Sequence, residues 1–104
     1  MMKFKIIIES AAKADMRGIL KYIAETFKVP PTAQRIYRSI KKQILTLEKM
    51  PLRNPLANDE ILAARHLRLM PVENYTVFYI VDEERKQVHI LRVLYNRRDW
   101  QNLL

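Results

Sequence analysis

The hydrophobic pattern of the chain changes its period near Pro51, and this change constrains the fold more than any other feature. Before Pro51, apolar residues recur every three or four positions, which is typical of amphipathic helices. After residue 65, segments rich in β-branched and aromatic residues are typical of strands. The stretch from Pro51 to Glu60 carries two prolines and two asparagines, so it predicts a linker between a helical half and a strand half.

The helical half predicts one short strand followed by two helices. Lys3 to Ile8 contains three consecutive isoleucines, which favour a strand, and Ser10 can cap the helix that follows. The prolines after Val29 end this first helix, and Pro51 ends the second. Each helix has one apolar stripe, so the two should form an antiparallel hairpin. The stripes comprise Met16, Ile19, Leu20, Ile23 and Phe27 in the first helix, and Ala33, Ile36, Tyr37, Ile40, Ile44 and Leu47 in the second.

The strand half predicts three strands, Arg65–Met70, Tyr75–Val81 and Val88–Tyr95, and a short terminal helix that begins at Asp99. The predicted order is β-α-α-β-β-β-α. This is an α+β fold in which the helical hairpin packs on one face of a small, mostly antiparallel sheet, and the other face stays partly open. Residues 1–104 fit one domain. Four tyrosines at core-like spacing are expected to pack: Tyr22, Tyr37, Tyr75 and Tyr79.

The composition excludes several classes of protein. The chain has no cysteine, which excludes a disulfide scaffold, a cysteine-ligated metal centre and a thiol nucleophile. Its single glycine, Gly18, excludes glycine-rich nucleotide-binding loops. No His, Asp and Glu cluster has metal-ligand spacing, so no metal and no cofactor is expected. No apolar run approaches the roughly 20 residues that span a bilayer, and the start does not resemble a signal peptide. A cytoplasmic protein with no membrane partner is expected.

The charge is uneven, with a formal net charge of +8. Residues 1–52 carry 11 basic and 4 acidic side chains, whereas residues 53–104 carry 8 and 7. This imbalance favours a nucleic acid or an acidic protein as partner over a merely solvated surface. Within the second helix, Arg35, Arg38 and Lys42 share one face and could contact RNA, although a solvated helix face is the ordinary interpretation.

One group of residues could carry phosphodiester chemistry. His66 and Arg68 are two apart on a predicted strand, so they should share a face. Arginine binds phosphate oxygens in a bidentate manner, and histidine can transfer a proton near neutral pH. A charged edge strand that prevents aggregation is the competing interpretation. The residues that could join them at the end of the sheet are Arg92, Tyr95, Arg97 and Arg98.

Two segments taken together resemble a known family. They are R-H-L-R-L-M-P-V-E-N-Y-T-V-F-Y from Arg65 to Tyr79, and L-R-V-L-Y-N-R-R-D from Leu91 to Asp99. With these motifs the chain resembles the RelE/ParE superfamily of toxins from bacterial type II toxin–antitoxin systems, over Phe4 to Leu104. The resemblance implies a growth-arresting toxin and the same fold. It also implies a cognate antitoxin whose C-terminal segment wraps the toxin, and binding of operator DNA only through that antitoxin.

The superfamily has two branches with different targets. RelE-like toxins cleave mRNA on the ribosome, and ParE-like toxins poison DNA gyrase. His66 and Arg68 align with two RelE lysines, and Arg97 or Arg98 lies near a RelE arginine. Thr76, however, replaces a RelE arginine, and the RelE tyrosine near the C-terminus has no clear match, so the resemblance favours the ParE branch.

Two alternatives stay open. In the first, the protein is a metal-independent, ribosome-dependent endoribonuclease. Arg68 and Arg97 would then hold the scissile phosphate, and His66 or Tyr95 would move protons. In the second, the chain is a basic RNA-binding domain without toxicity.

Overall fold

Residues 3–26 and 30–96 are described by the computed structural model of the protein. The α+β class and the order of strand, helical hairpin and three strands are confirmed. A third helix, α3 (Glu60–Ala64), was not predicted, and the predicted helix at Asp99 lies outside the described residues. The elements are β1 (Lys5–Ile8), α1 (Ser10–Thr26), α2 (Pro30–Leu45), a 3-10 turn (Thr46–Glu48), α3 (Glu60–Ala64), β2 (Arg68–Val72), β3 (Tyr75–Asp82) and β4 (Gln87–Tyr95).

The four strands form one sheet in the order β1-β4-β3-β2. The strands β2, β3 and β4 form an antiparallel meander, whereas β1 pairs in parallel with β4. The α1–α2 hairpin lies between β1 and the meander in sequence. This long connection lets β1 run parallel to β4, because parallel strands need a crossover. A bulge at Phe78/Tyr79 shifts the register between β3 and β4.

The hairpin packs on one face of the sheet and forms the main core with it. The buried stripe of each helix meets the apolar residues of β3 and β4 that point to the same side. Burial of each large apolar side chain contributes about 1.5–3 kcal/mol. The core includes Met16, Ile19 and Ile23 from α1, Ala33, Ile40 and Ile44 from α2, and Val77, Tyr79, Val88, Ile90 and Val93 from the sheet.

The opposite sheet face is covered at its centre and has partly buried residues around that cover, which agrees with the expectation of a partly open face. Phe78 and Leu67 are completely buried there, together with Ala57 and Leu62. Leu62 belongs to α3, so this unpredicted helix supplies part of the cover. A second, smaller core therefore lies on the face where an exposed site was expected.

The stretch from Pro51 to Glu60 is not a linker but a cover for the outer edge of β2. The backbone N–H of Ala57 donates to the carbonyl of Leu67 (2.8 Å), and that of Leu69 donates to the carbonyl of Pro55 (3.3 Å). The Tyr79 hydroxyl donates to the carbonyl of Pro51 (2.7 Å). These bonds satisfy the backbone groups that an edge strand otherwise exposes.

The tyrosines divide between packing and exposure. Tyr75 and Tyr79 are buried and Tyr37 packs against the core, as expected, but Tyr22 is 57% exposed. Tyr22 lies on a flank of α1 rather than on its buried stripe, so helical spacing alone placed it wrongly. Within residues 3–26 and 30–96, no helix is both long enough and apolar enough to span a bilayer.

Candidate functional site

His66 lies in a turn after α3 and not on a strand, which corrects the predicted Arg65–Met70 strand. Its φ is 59°, in the left-handed region. The N–H of His66 donates to the carbonyl of Ala63 (2.9 Å), and the N–H of Leu67 donates to the carbonyl of Leu62 (3.2 Å). This pair of bonds is a Schellman motif, in which glycine usually occupies the position of His66. The strand β2 begins only at Arg68.

We expect His66→Gly to raise the free energy of unfolding by about 1 kcal/mol, because a left-handed conformation is unfavourable for residues with a Cβ. Urea unfolding of the two proteins measures the difference. Ala64→Gly, at the last residue of α3, is the matched control. It should lower the free energy of unfolding by about 1 kcal/mol, because glycine has a lower helix propensity than alanine. A destabilised His66→Gly protein would contradict the prediction.

His66 and Arg68 nevertheless meet at a small cavity beside β2, the edge strand of the sheet. The cavity has a volume of about 130 Å³ and is also lined by Leu52, Leu56, Val81 and Glu83. Arg68 Nη1 donates to the carbonyl of Asn54 (2.6 Å), which fixes the guanidinium in the loop that covers β2. The structure thus brings these two predicted residues together through the turn after α3, not through strand alternation.

Arg92 is held by Asp15 of α1. Arg92 Nε donates to Asp15 Oδ2 (2.7 Å), and Arg92 Nη2 donates to Asp15 Oδ1 (2.9 Å). The backbone N–H of Val93 also donates to Asp15 Oδ2 (2.9 Å). The pairing of β1 with β4 ends at Ile8 and Ile90, so the Val93 N–H has no partner on β1. The Asp15 carboxylate accepts that N–H in place of a strand. The hydrogen bond to Asp15 raises the pKa of Arg92. The guanidinium predicted to bind phosphate is therefore occupied by a carboxylate.

Tyr95 lies far from His66 and Arg68. It is 56% exposed, and its ring contacts Tyr75 edge to face at 5.5 Å between centroids. In the sheet register Tyr95 pairs with Tyr75, which pairs with Val72, the end of β2 opposite to Arg68. Four residues of strand separate these positions by about 13 Å, in addition to the distance across the strands. The structure does not bring Tyr95 to the small cavity.

The remaining predicted groups differ in their surroundings. Thr76 is buried, and its hydroxyl donates to Asn96 Oδ1 (2.6 Å), so it helps to hold the end of β4. Arg97 and Arg98 lie outside the described residues. On α2, Arg35 forms an ion pair with Glu73 (2.6 Å), whereas Arg38 and Lys42 are exposed. Among the described residues, no group of three potential metal ligands is close enough to hold an ion.

A wide apolar groove, which sequence reasoning did not predict, lies on the helical-hairpin side of the molecule. It has a volume of about 870 Å³ and lies between the loop end of the helical hairpin and the end of the sheet. Tyr22 and Tyr95, both exposed, line it together with the buried Tyr75. We call this surface the hairpin groove. Its other lining residues are Ala14, Asp15, Gly18, Ile19, Ile23, Thr32, Ile36, Asn74, Val93 and Leu94.

Gly18 lies in the α1 wall of the hairpin groove. It lies inside α1, where glycine costs about 1 kcal/mol relative to alanine. A Cβ at this position would meet no atom within 4 Å, so close packing in the described structure does not require the glycine. The only glycine of the chain, placed inside a helix, is the sequence signal that could have indicated this surface.

The chemistry of the hairpin groove suits binding rather than catalysis. Burial raises the pKa of Tyr75, and the neighbouring Tyr95 and Tyr22 raise it further, so the Tyr75 phenol stays neutral near pH 7. The one carboxylate in the lining, Asp15, is occupied by Arg92 and Val93. What the groove offers is apolar and aromatic surface with a few polar groups, as in grooves that receive peptide segments.

The fold has close relatives among solved structures. A chain of the chromosomal ParDE toxin–antitoxin system from Pseudomonas aeruginosa superposes with a TM-score of 0.75 at 18% identity, covering 91% of this chain and 98% of that one. For the RelBE2 toxin–antitoxin complex of Mycobacterium tuberculosis the TM-score is 0.66 at 22% identity, with coverage of 91% and 100%. For the intact RelBE complex of Escherichia coli the TM-score is 0.61 at 16% identity, with coverage of 91% and 99%.

Sequence comparison identifies the family. A search of curated protein sequences gives no match. The family model described as the ParE toxin of the type II toxin–antitoxin system parDE matches residues 6–100, nearly the whole chain. The chain therefore belongs to the ParE family of type II toxin–antitoxin toxins.

Proposed function

We propose that residues 1–104 act as one toxin domain that arrests growth by binding DNA gyrase, and that a cognate antitoxin neutralises it by occupying the hairpin groove. Binding of operator DNA would then depend on the antitoxin. The match to the ParE family supports the toxin, and the choice of gyrase follows the resemblance to the ParE branch. The observation that carries the choice of binding over RNA cleavage is that Tyr95 and Arg92 lie away from the cavity shared by His66 and Arg68.

That separation rests on three placements. Arg92 is bound in a bidentate manner by Asp15, and Thr76 is buried at a position where RelE-like toxins carry an arginine. Tyr95 lines the hairpin groove, whereas His66 and Arg68 line the small cavity near the other end of β2. A phosphodiester held by Arg68 is therefore out of reach of the Tyr95 hydroxyl, because acid–base transfer needs contact within about 3 Å or one bridging water.

The antitoxin is assigned to the hairpin groove on chemical grounds. In the solved complexes named above, RelBE toxins are bound to their antitoxins. The groove presents apolar surface with exposed tyrosines on its rim, and aromatic side chains are enriched in protein interfaces. An amphipathic segment that lays its apolar residues into this groove would bury Tyr22 and Tyr95.

Purified protein should inhibit supercoiling of relaxed plasmid by DNA gyrase, and it should leave translated mRNA intact. Gel electrophoresis of the plasmid measures the first property. Primer extension on mRNA in a reconstituted translation system measures the second. Addition of the cognate antitoxin should restore supercoiling. Normal supercoiling together with cleavage that requires ribosomes would refute the proposed target.

The variant His66→Gly separates the two mechanisms because it removes the imidazole at a position where glycine suits the backbone. If the protein acts on gyrase, the variant should inhibit supercoiling as strongly as the wild type.

Ribosome-dependent cleavage of mRNA is the second candidate. It is favoured by one observation, the presence of an imidazole, a guanidinium and the Glu83 carboxylate around the same small cavity. If this candidate is correct, His66→Gly should abolish cleavage and growth arrest while the protein stays folded.

A further inference from the structure

The positive charge of the protein is concentrated on the helical hairpin. The helices α1 and α2 contain seven Lys and Arg residues and two acidic residues, and α2 contains no acidic residue at all. Residues 46–96, which include α3 and the meander, contain seven basic and seven acidic residues. Over the described residues, the hairpin layer is therefore strongly basic and the meander is balanced.

The cations of the hairpin lie away from its buried stripes. Helical periodicity places Arg17 and Lys21 roughly opposite the buried stripe of α1. In α2 it places Arg35, Arg38 and Lys42 roughly opposite Ala33, Ile40 and Ile44. All five are exposed. We call these five residues, Arg17, Lys21, Arg35, Arg38 and Lys42, the basic hairpin surface.

The basic hairpin surface keeps most of its charge available. Arg35 pairs with Glu73, but the other four residues form no ion pair with a described residue. These four cations form two short rows, Arg17 and Lys21 on α1 and Arg38 and Lys42 on α2. The axes of packed helices lie about 8–10 Å apart. Within a row, Arg38 and Lys42 are separated by about 6 Å along the helix.

We propose that the basic hairpin surface binds the phosphate backbone of a nucleic acid. Two rows of long cationic side chains at this separation can contact phosphates on both sides of a duplex groove, which is about 6–12 Å wide. Phosphate contacts of this kind need no base-specific group.

A nucleic acid fits this surface better than an acidic peptide. On α1 and α2, the large apolar residues that are exposed are Tyr22, which lines the hairpin groove, and Leu45, at the end of α2. A peptide that folds on binding needs apolar surface to bury, and that surface is in the hairpin groove. The proposal concerns the isolated protein, so it does not depend on gyrase or on an antitoxin.

The test uses two variants of equal net charge. Arg38→Gln/Lys42→Gln removes two cations of the basic hairpin surface, and Lys3→Gln/Lys5→Gln removes two exposed cations near β1. Fluorescence anisotropy measures binding to a duplex DNA, to a single-stranded RNA and to poly-glutamate across a range of salt concentrations. Circular dichroism confirms that the variants are folded. Arg17→Gln/Lys21→Gln repeats the test on α1.

The hairpin variants should bind nucleic acid about tenfold more weakly than the wild type, and the slope of log K against log salt for duplex DNA should fall by about 2. The Lys3→Gln/Lys5→Gln variant should bind as the wild type does. Stronger binding to DNA or to RNA identifies which polymer the surface contacts. Equal weakening by all the variants, or binding of poly-glutamate as tight as that of DNA, would overturn the proposal.

Discussion

Asp15→Asn should lower the free energy of unfolding by about 2 kcal/mol, whereas Glu73→Gln should change it by less than about 0.5 kcal/mol. Both substitutions replace a carboxylate with an amide of the same shape, and both carboxylates pair with an arginine. The ion-pair distances are nearly equal, 2.7 Å for Asp15 with Arg92 and 2.6 Å for Glu73 with Arg35. If the ion-pair distance alone determined the change in the free energy of unfolding, the two substitutions would have equal effects. Their different burial predicts different effects.

The two ion pairs differ in burial and in the number of hydrogen bonds that the carboxylate accepts. The side chains of Asp15 and Arg92 are 14% and 27% exposed, whereas those of Glu73 and Arg35 are 33% and 57% exposed. Asp15 also accepts the Val93 N–H, so its loss affects the β4 edge as well as Arg92. Removal of one partner of a fully buried pair costs about 3–5 kcal/mol and exposed pairs contribute about 0–1 kcal/mol, so the partly buried Asp15–Arg92 pair should fall between these limits.

Urea unfolding followed by circular dichroism measures both variants against the wild type, with equal m-values as the check that the same transition is compared. An effect of Asp15→Asn as small as that of Glu73→Gln would mean that water satisfies Arg92 and the edge of β4.

Local pattern was enough to predict most of the fold. The buried stripes of α1 and α2 and the apolar density of β3 and β4 are each properties of one short segment, and each predicted segment is observed. The pattern failed at Arg65–Met70, where alternation of apolar and polar residues suggested a strand. There the chain closes α3 with a left-handed residue that is not glycine, and neither glycine nor proline marked the turn.

The candidate site depends on tertiary contacts that local pattern does not contain. Asp15 and Arg92 are 77 residues apart in the sequence, so no local pattern indicates that they form an ion pair. The hairpin groove combines the loop end of the hairpin with the ends of β3 and β4, so its shape follows from how α1 crosses the sheet. For the same reason, counting arginines near the end of the sheet could not reveal that one of them is held by α1.

Gly18→Trp should weaken binding of the cognate antitoxin by at least about 100-fold, or about 2.8 kcal/mol, while the toxin itself stays folded. The side chain at this position points into open space in the hairpin groove, so an indole can occupy the volume that the antitoxin segment is proposed to fill. Tryptophan also has a higher helix propensity than glycine, so α1 should not be destabilised.

Gly18→Ala is the matched control, because it adds only a Cβ for which the structure has room. It should bind the antitoxin with nearly unchanged affinity and should raise the free energy of unfolding by about 0.8 kcal/mol. Titration of the purified antitoxin into each toxin variant measures affinity. In cells that produce both proteins, only the Gly18→Trp toxin should still arrest growth. Wild-type affinity of the Gly18→Trp protein would show that the antitoxin binds elsewhere, because an indole in the groove cannot coexist with a segment that fills it.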